Sequence, residues 1–338
     1  MKLILCCTLA AGILLAGNAP GADFQYKLTN TIPVVGNGGW DYLSVDEAAR
    51  RLYVSHGNEI VVLDLDLGEV VGTITNTPGV HGIALCPDLG LGVTSIGREN
   101  QAGIVDLNTL QTLSKVATAE GPDGMLYDPG QQEAYLFCGR ARAATVVNVK
   151  AGKVVATIPL AGRPEFGAVD PAADRVYDNI EDKSEVAVID TQSHQVVTNW
   201  PCTPGEEPSG MAIDAKNHHL FIGCRNKLMV LMDSTSGKVL DTLPIGEGVD
   251  ACKFDPDTHL VFASCGDGTT TIAKVNEDTS QLKLIQTLQT ERGARTMAVD
   301  PVEHNIFLAT AKFAAPAEGQ RRGKMVPGSF KILVYGPR

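Results

Sequence analysis

The sequence predicts an all-β fold, a seven-bladed β-propeller, from three observations. One short motif recurs seven times, each complete repeat contains four apolar runs, and a leftover strand at the front of the chain matches one missing from the seventh repeat. The motif is clearest at Gly293-Ala294-Arg295-Thr296-Met297-Ala298-Val299-Asp300-Pro301. It reads as a polar residue, a small or aromatic one, then large apolar, small, large apolar and usually Asp. The turn-marking positions are Asp46, Cys86, Asp128, Asp170, Asp214, Asp255 and Asp300, with steps of 40, 42, 42, 44, 41 and 45 residues. A period of this length signals a repeat whose unit buries its apolar face only against its neighbours.

The elements follow in order within each repeat. The first strand ends at the turn position, where Pro follows in five copies (Pro87, Pro129, Pro171, Pro256 and Pro301). Proline fixes φ and lacks a donor, so it ends a strand and starts a turn. A second strand comes next, as in Arg51-Leu52-Tyr53-Val54 and His219-Leu220-Phe221-Ile222. A third runs into an acid or amide, as in Ile60-Val61-Val62-Leu63-Asp64 and Val186 to Asp190, and a Gly-marked turn leads into a fourth, as in Gly68-Glu69-Val70-Val71. Four short antiparallel strands per repeat make one propeller blade. Blades are expected to start near residues 40, 80, 122, 164, 208, 249 and 294. The seventh lacks a fourth strand after Lys331 to Tyr335, and the strand over residues 24–34 is expected to complete it, closing the ring and removing an open edge.

The 28 Lys and Arg against 39 Asp and Glu give a net charge of −11. That balance argues against nucleic acid as a partner, because binding it needs cations to displace counterions from phosphates. Met1-Lys2, an apolar run from Leu3 to Leu15 and small residues after it read as a secretory signal peptide over residues 1–22. The expected mature chain, residues 23–338, is then periplasmic or secreted and has no membrane span, since no other stretch approaches the roughly 20 apolar residues needed. Six cysteines remain after the leader: Cys86, Cys138, Cys202, Cys224, Cys252 and Cys265. An oxidising compartment permits disulfides, with Cys202–Cys224 the first candidate pair and Cys252–Cys265 the second. Cys138, Cys224 and Cys265 share one repeat position, where a small apolar residue near a strand end is the default.

The repeat resembles the YVTN family of bacterial β-propellers (YncE-like) on Arg51-Leu52-Tyr53-Val54-Ser55 with Val61-Val62-Leu63-Asp64, and on Val186-Ala187-Val188-Ile189-Asp190. The resemblance covers about residues 24–338. It implies an extracytoplasmic binding protein, with single-stranded DNA binding known in one branch. Trp40-Asp41 precedes a first strand instead of ending a third, so it is not a WD-type repeat signal.

Five residues before each turn position stands a polar residue: Asp41, His81, Asp123, Glu165, Ser209, Asp250 and Arg295. On inner strands that alternate faces, this set is expected at one mouth of the central channel as a ligand-binding rim. Direct pairing is expected across the hairpin, placing Asp41 opposite His56, Asp123 opposite Cys138, Ser209 opposite Cys224, Asp250 opposite Cys265 and Arg295 opposite Thr310. Carboxylates with a His suit a divalent cation, so Asp41, His81, Asp123, Glu165 and Asp250 are the candidate metal ligands. An insertion at residues 311–330 carries Lys312, Arg321, Arg322 and Lys324, and is expected on the same face as a lid or an anion contact. No Gly-x-Ser-x-Gly elbow, P-loop, His-Glu-x-x-His or dinucleotide fingerprint is present. The expected function is a small-molecule- or protein-binding module acting at the channel mouth. Two alternatives remain: a metal-dependent, lactonase-like hydrolase at the same mouth, and single-stranded nucleic-acid binding through the basic insertion with Trp40 and Tyr42.

Overall fold

The computed structural model describes residues 25–36, 38–276, 278–315 and 323–338. Seven four-stranded antiparallel sheets follow one another, and in each the first strand of the repeat is innermost. The inner strands are Leu43–Asp46, Val80–Cys86, Pro122–Asp128, Pro164–Asp170, Pro208–Asp214, Val249–Asp255 and Met297–Asp300. Blade seven is built from Met297–Asp300, Asn305–Thr310, Lys331–Pro337 and, on its outside, the N-terminal strand Tyr26–Pro33. The expected ring closure is therefore made in backbone hydrogen bonds, with Tyr26 facing Pro337 and Ile32 facing Ile332. The leader expected over residues 1–22 lies outside the described residues. Among the described residues, no helix is long and apolar enough to cross a membrane.

The core lies in the seams between blades. The alternating apolar residues of each sheet face its two neighbours, so every seam holds one cluster. Leu126 and Phe137 of blade three meet Val176 and Ile189 of blade four. Ile32, Phe330 and Val334 of blade seven meet Leu43, Leu52 and Leu63 of blade one, so the closing seam is filled like the rest. Burying one such large side chain contributes about 1.5–3 kcal/mol.

The turn aspartate is structural. Its Oδ1 accepts from backbone N–H groups of the turn it opens, for example Ala49 N at 2.9 Å from Asp46 and Gly130 N at 2.8 Å from Asp128. Four residues after each turn position the backbone is left-handed, at Arg50, Gly90, Gln132, Asp174, His218, His259 and His304. Two of these residues also tie blades together. Arg50 Nη1 donates to the buried Asp300 Oδ1 at 2.8 Å across the closing seam. His304 Nδ1 lies 2.8 Å from Asp255 Oδ2 across the seam before it.

Candidate functional site

The polar position five before each turn residue falls where the hairpin ladder is broken. In the blades with long inner strands the register shifts there, so that the residue one earlier pairs across the hairpin: Pro122 with Cys138, Pro208 with Cys224 and Val249 with Cys265. The direct pairings expected from uninterrupted alternation are thus corrected by a β-bulge, which leaves the polar residue unpaired and re-aims its side chain. In blades one and seven the ladder starts only at Leu43 and Met297, so Asp41 and Arg295 precede it and face neither His56 nor Thr310.

Freed in this way, the seven polar residues close on one another. His81 Nδ1 lies 2.8 Å from Asp41 Oδ2 and 3.1 Å from Asp123 Oδ1. Ser209 Oγ, fully buried, lies 3.4 Å from Glu165 Oε1 and 3.5 Å from Asp250 Oδ1. Arg295 Nε pairs with Asp250 Oδ2 at 3.1 Å. All seven expected rim residues share this ring. Sequence reading missed its outer support, in which Glu181, 2% exposed, takes ion pairs from Arg163 and Arg225, both at 2.5 Å.

Burial and mutual repulsion set the charges of the ring. Burial opposes ionisation of His81, but its hydrogen bonds to Asp123 and Asp41 outweigh this and push it up to about 10, so the imidazole is cationic at neutral pH. Burial lifts Glu165 to about 8, helped by Asp123, Glu181 and Asp250 against Arg225. Burial likewise lifts Asp250 to about 6, opposed by Arg295. The ring is therefore close to self-compensated, with His81 between Asp41 and Asp123, Arg295 against Asp250, and Arg225 of the outer support 3.9 Å from Glu165.

Only part of the ring faces open space. A cavity of ≈ 760 Å³ is lined by Asp41, His81 and Asp123 together with Arg98, Arg140 and Arg163. The Asp–His–Asp group is half-buried and the arginines are exposed, so negative groups lie deeper and guanidiniums stand outside. Of the five candidate metal ligands, Asp41, His81 and Asp123 bring ligand atoms within 4.8 Å of one another. Glu165 and Asp250 do not join that group; each is engaged with Ser209 instead.

The channel below the ring is blocked. One residue after the ring position, Tyr42 of blade one and Phe166 of blade four stack with centroids 5.0 Å apart, and Lys253 Nζ of blade six lies 4.9 Å from the Phe166 ring centre. Gly124 and Gly210 hold the equivalent position in blades three and five because the next inner strand approaches so closely. A Cβ would lie 2.2 Å from Glu165 O in the first case and 2.4 Å from Cys252 N in the second.

The aromatics expected to be available for base stacking are engaged inside the fold. Tyr42 forms the channel stack, and Trp40 packs on Phe313 and Phe330 with centroids 6.0 and 5.2 Å away. Phe313 bridges to Met325 at the base of the insertion, on the side of Trp40. Arg321 and Arg322 lie outside the described residues. Both candidate disulfide pairs are buried free thiols, as are Cys86 and Cys138. Burial raises the Cys224 and Cys265 thiols to about 12 each, which makes them inert packing groups.

The fold is similar to that described as RRP9 WD40 repeats, at 12% identity and a TM-score of 0.76 over 93% of this chain and 100% of that one. It is similar to U3-55K, at 13% identity and 0.75 over 93% and 98%. A chain from a structure described as the mitotic checkpoint complex gives 12% identity and 0.76 over 99% and 98%. At such identities the likeness establishes the seven-bladed architecture alone. No family model and no curated protein matches the sequence.

Proposed function

We propose that the protein is an extracytoplasmic binding module of the YVTN-like kind, taking a protein or small molecule that carries both signs of charge at the mouth of its channel. The carrying observation is the two-layered cavity, with Asp41, His81 and Asp123 deeper and Arg98, Arg140 and Arg163 outside. Such an arrangement receives a cationic group inward and anionic groups around it, and complementary charge chiefly sets specificity and encounter rate. A multi-protein complex among the similar folds supports a protein partner. Titration calorimetry with short peptides tests this. A mixed Lys/Glu peptide should bind about tenfold tighter than all-Lys or all-Glu peptides, equivalent to about 1.4 kcal/mol. Asp123→Asn and Arg98→Gln should each weaken it several-fold. Equal binding of all three peptides, or indifference to both substitutions, sinks the reading.

A second reading rests on the converging atoms Asp41 Oδ2, His81 Nδ1 and Asp123 Oδ1. One nitrogen and two oxygens suit a transition divalent cation, which there would polarise a carbonyl and support lactonase-like hydrolysis. Under this reading Zn²⁺ or Mn²⁺ raises the melting temperature of the parent and not of Asp123→Ala. Absence of any metal-dependent shift across Zn²⁺, Mn²⁺, Mg²⁺ and Ca²⁺ removes it.

A further inference from the structure

Blade six carries a lysine where its siblings carry small or apolar residues. Two residues before the turn position the seven blades have Ser44, Ala84, Leu126, Ala168, Ala212, Lys253 and Ala298. Lys253 lies beneath the Tyr42–Phe166 stack and lines a second cavity, ≈ 830 Å³, on the far side of the blockage from the polar ring. The walls around it include Ala84, Leu126, Phe254 and Val299. Among the described residues Lys253 Nζ has no ion-pair or hydrogen-bond partner and lies over the face of Phe166. Desolvation disfavours the ammonium and lowers its pKa to about 8, so that about a tenth of the side chain is free amine at neutral pH where an ordinary lysine has almost none. A desolvated free amine is a nucleophile towards carbonyl carbon. Glu47 and Asp257, both exposed, also line this cavity. Their charge disfavours entering anions, and the apolar side chains around Lys253 offer contact to an uncharged hydrocarbon group, which favours a neutral apolar carbonyl compound over an anionic one.

We propose that this lower cavity is a carbonyl site in which Lys253 captures a neutral, apolar aldehyde or ketone as a reversible imine. Nζ adds its lone pair to the carbonyl carbon, and one N–H proton passes to the oxygen to give a carbinolamine. The C–O bond then breaks, the oxygen leaves as water with the second N–H proton, and the C=N bond forms. Hydrolysis reverses the step, and no oxidant or reductant is needed.

The test incubates the full chain with 2-naphthaldehyde, traps imines with cyanoborohydride and maps modified lysines by mass spectrometry. Lys253 should be modified about tenfold or more faster than the exposed Lys150 and Lys153, a difference equivalent to about 1.4 kcal/mol or more. Glyoxylate, a small anionic aldehyde, should show no such preference. Lys253→Arg should remove the fast site while keeping a cation over Phe166. Val299→Trp, which fills the cavity and leaves Lys253 in place, should slow labelling of Lys253 several-fold. Labelling of Lys253 no faster than Lys150, an equal preference with glyoxylate, or a rate unchanged in Val299→Trp overturns the proposal.

Discussion

Glu165 occupies the bulge of blade four with Asp123, Glu181 and Asp250 close enough to oppose its ionisation, and its side chain is 19% exposed. Burial first, and these carboxylates second, raise the carboxyl from 4.5 to about 8, so folding favours its protonated form. A raised acid leaves stability intact below the unfolded pKa and removes it progressively as pH climbs to the folded one. Glu165→Gln cannot ionise, so its melting temperature should match the parent at pH 4, gain on it between about pH 4.5 and 8, and hold a constant lead above. Each kcal/mol corresponds to about 2–4 °C or less in a chain of this size. A difference that does not vary with pH contradicts the assignment. The residue itself was legible in the sequence, because a polar side chain recurs five before every turn residue. Its aim was not. Alternation with a period of two carries no mark of an inserted residue, so uninterrupted pairing placed Asp123 opposite Cys138 where the bulge places Pro122.

The strands were legible because each is a short apolar run bounded by turn chemistry, and the closing strand because the seventh repeat lacked one. What holds the turns was half visible. The aspartates could be read as structural, but the left-handed residue four places on is Arg, Gln, Asp or His in six blades and glycine in one, so no residue type marks it. The seam contacts at that position were hidden for the same reason, since Arg50 and Asp300 lie 250 residues apart. Asp300 is fully buried and one of its two oxygens meets Arg50. Losing a hydrogen bond to such a charged group costs about 1–3 kcal/mol. Arg50→Ala should therefore lower unfolding stability in urea by about that amount, with Arg50→Lys recovering part of it. A loss below roughly 0.5 kcal/mol, typical of a surface substitution, would deny the pair any part in closing the ring.

At the scale of the whole molecule, the period, the four strands per repeat and the strand missing at one end and spare at the other together indicated a closed ring of blades. The channel contents escaped that logic. Tyr42 and Phe166 are aromatics at a repeat position otherwise held by small residues, and Lys253 is a charge where the other blades carry small or apolar residues, yet nothing local says that blades one, four and six meet at the axis. Their meeting leaves the propeller with two compartments back to back. Glu165 and Phe166 are chain neighbours on one bulge; the first belongs to the polar ring and the second covers Lys253. The register shift that aims Glu165 into the ring therefore also seats Phe166 against Tyr42 and over Lys253, so one bulge furnishes a residue to each side of the partition.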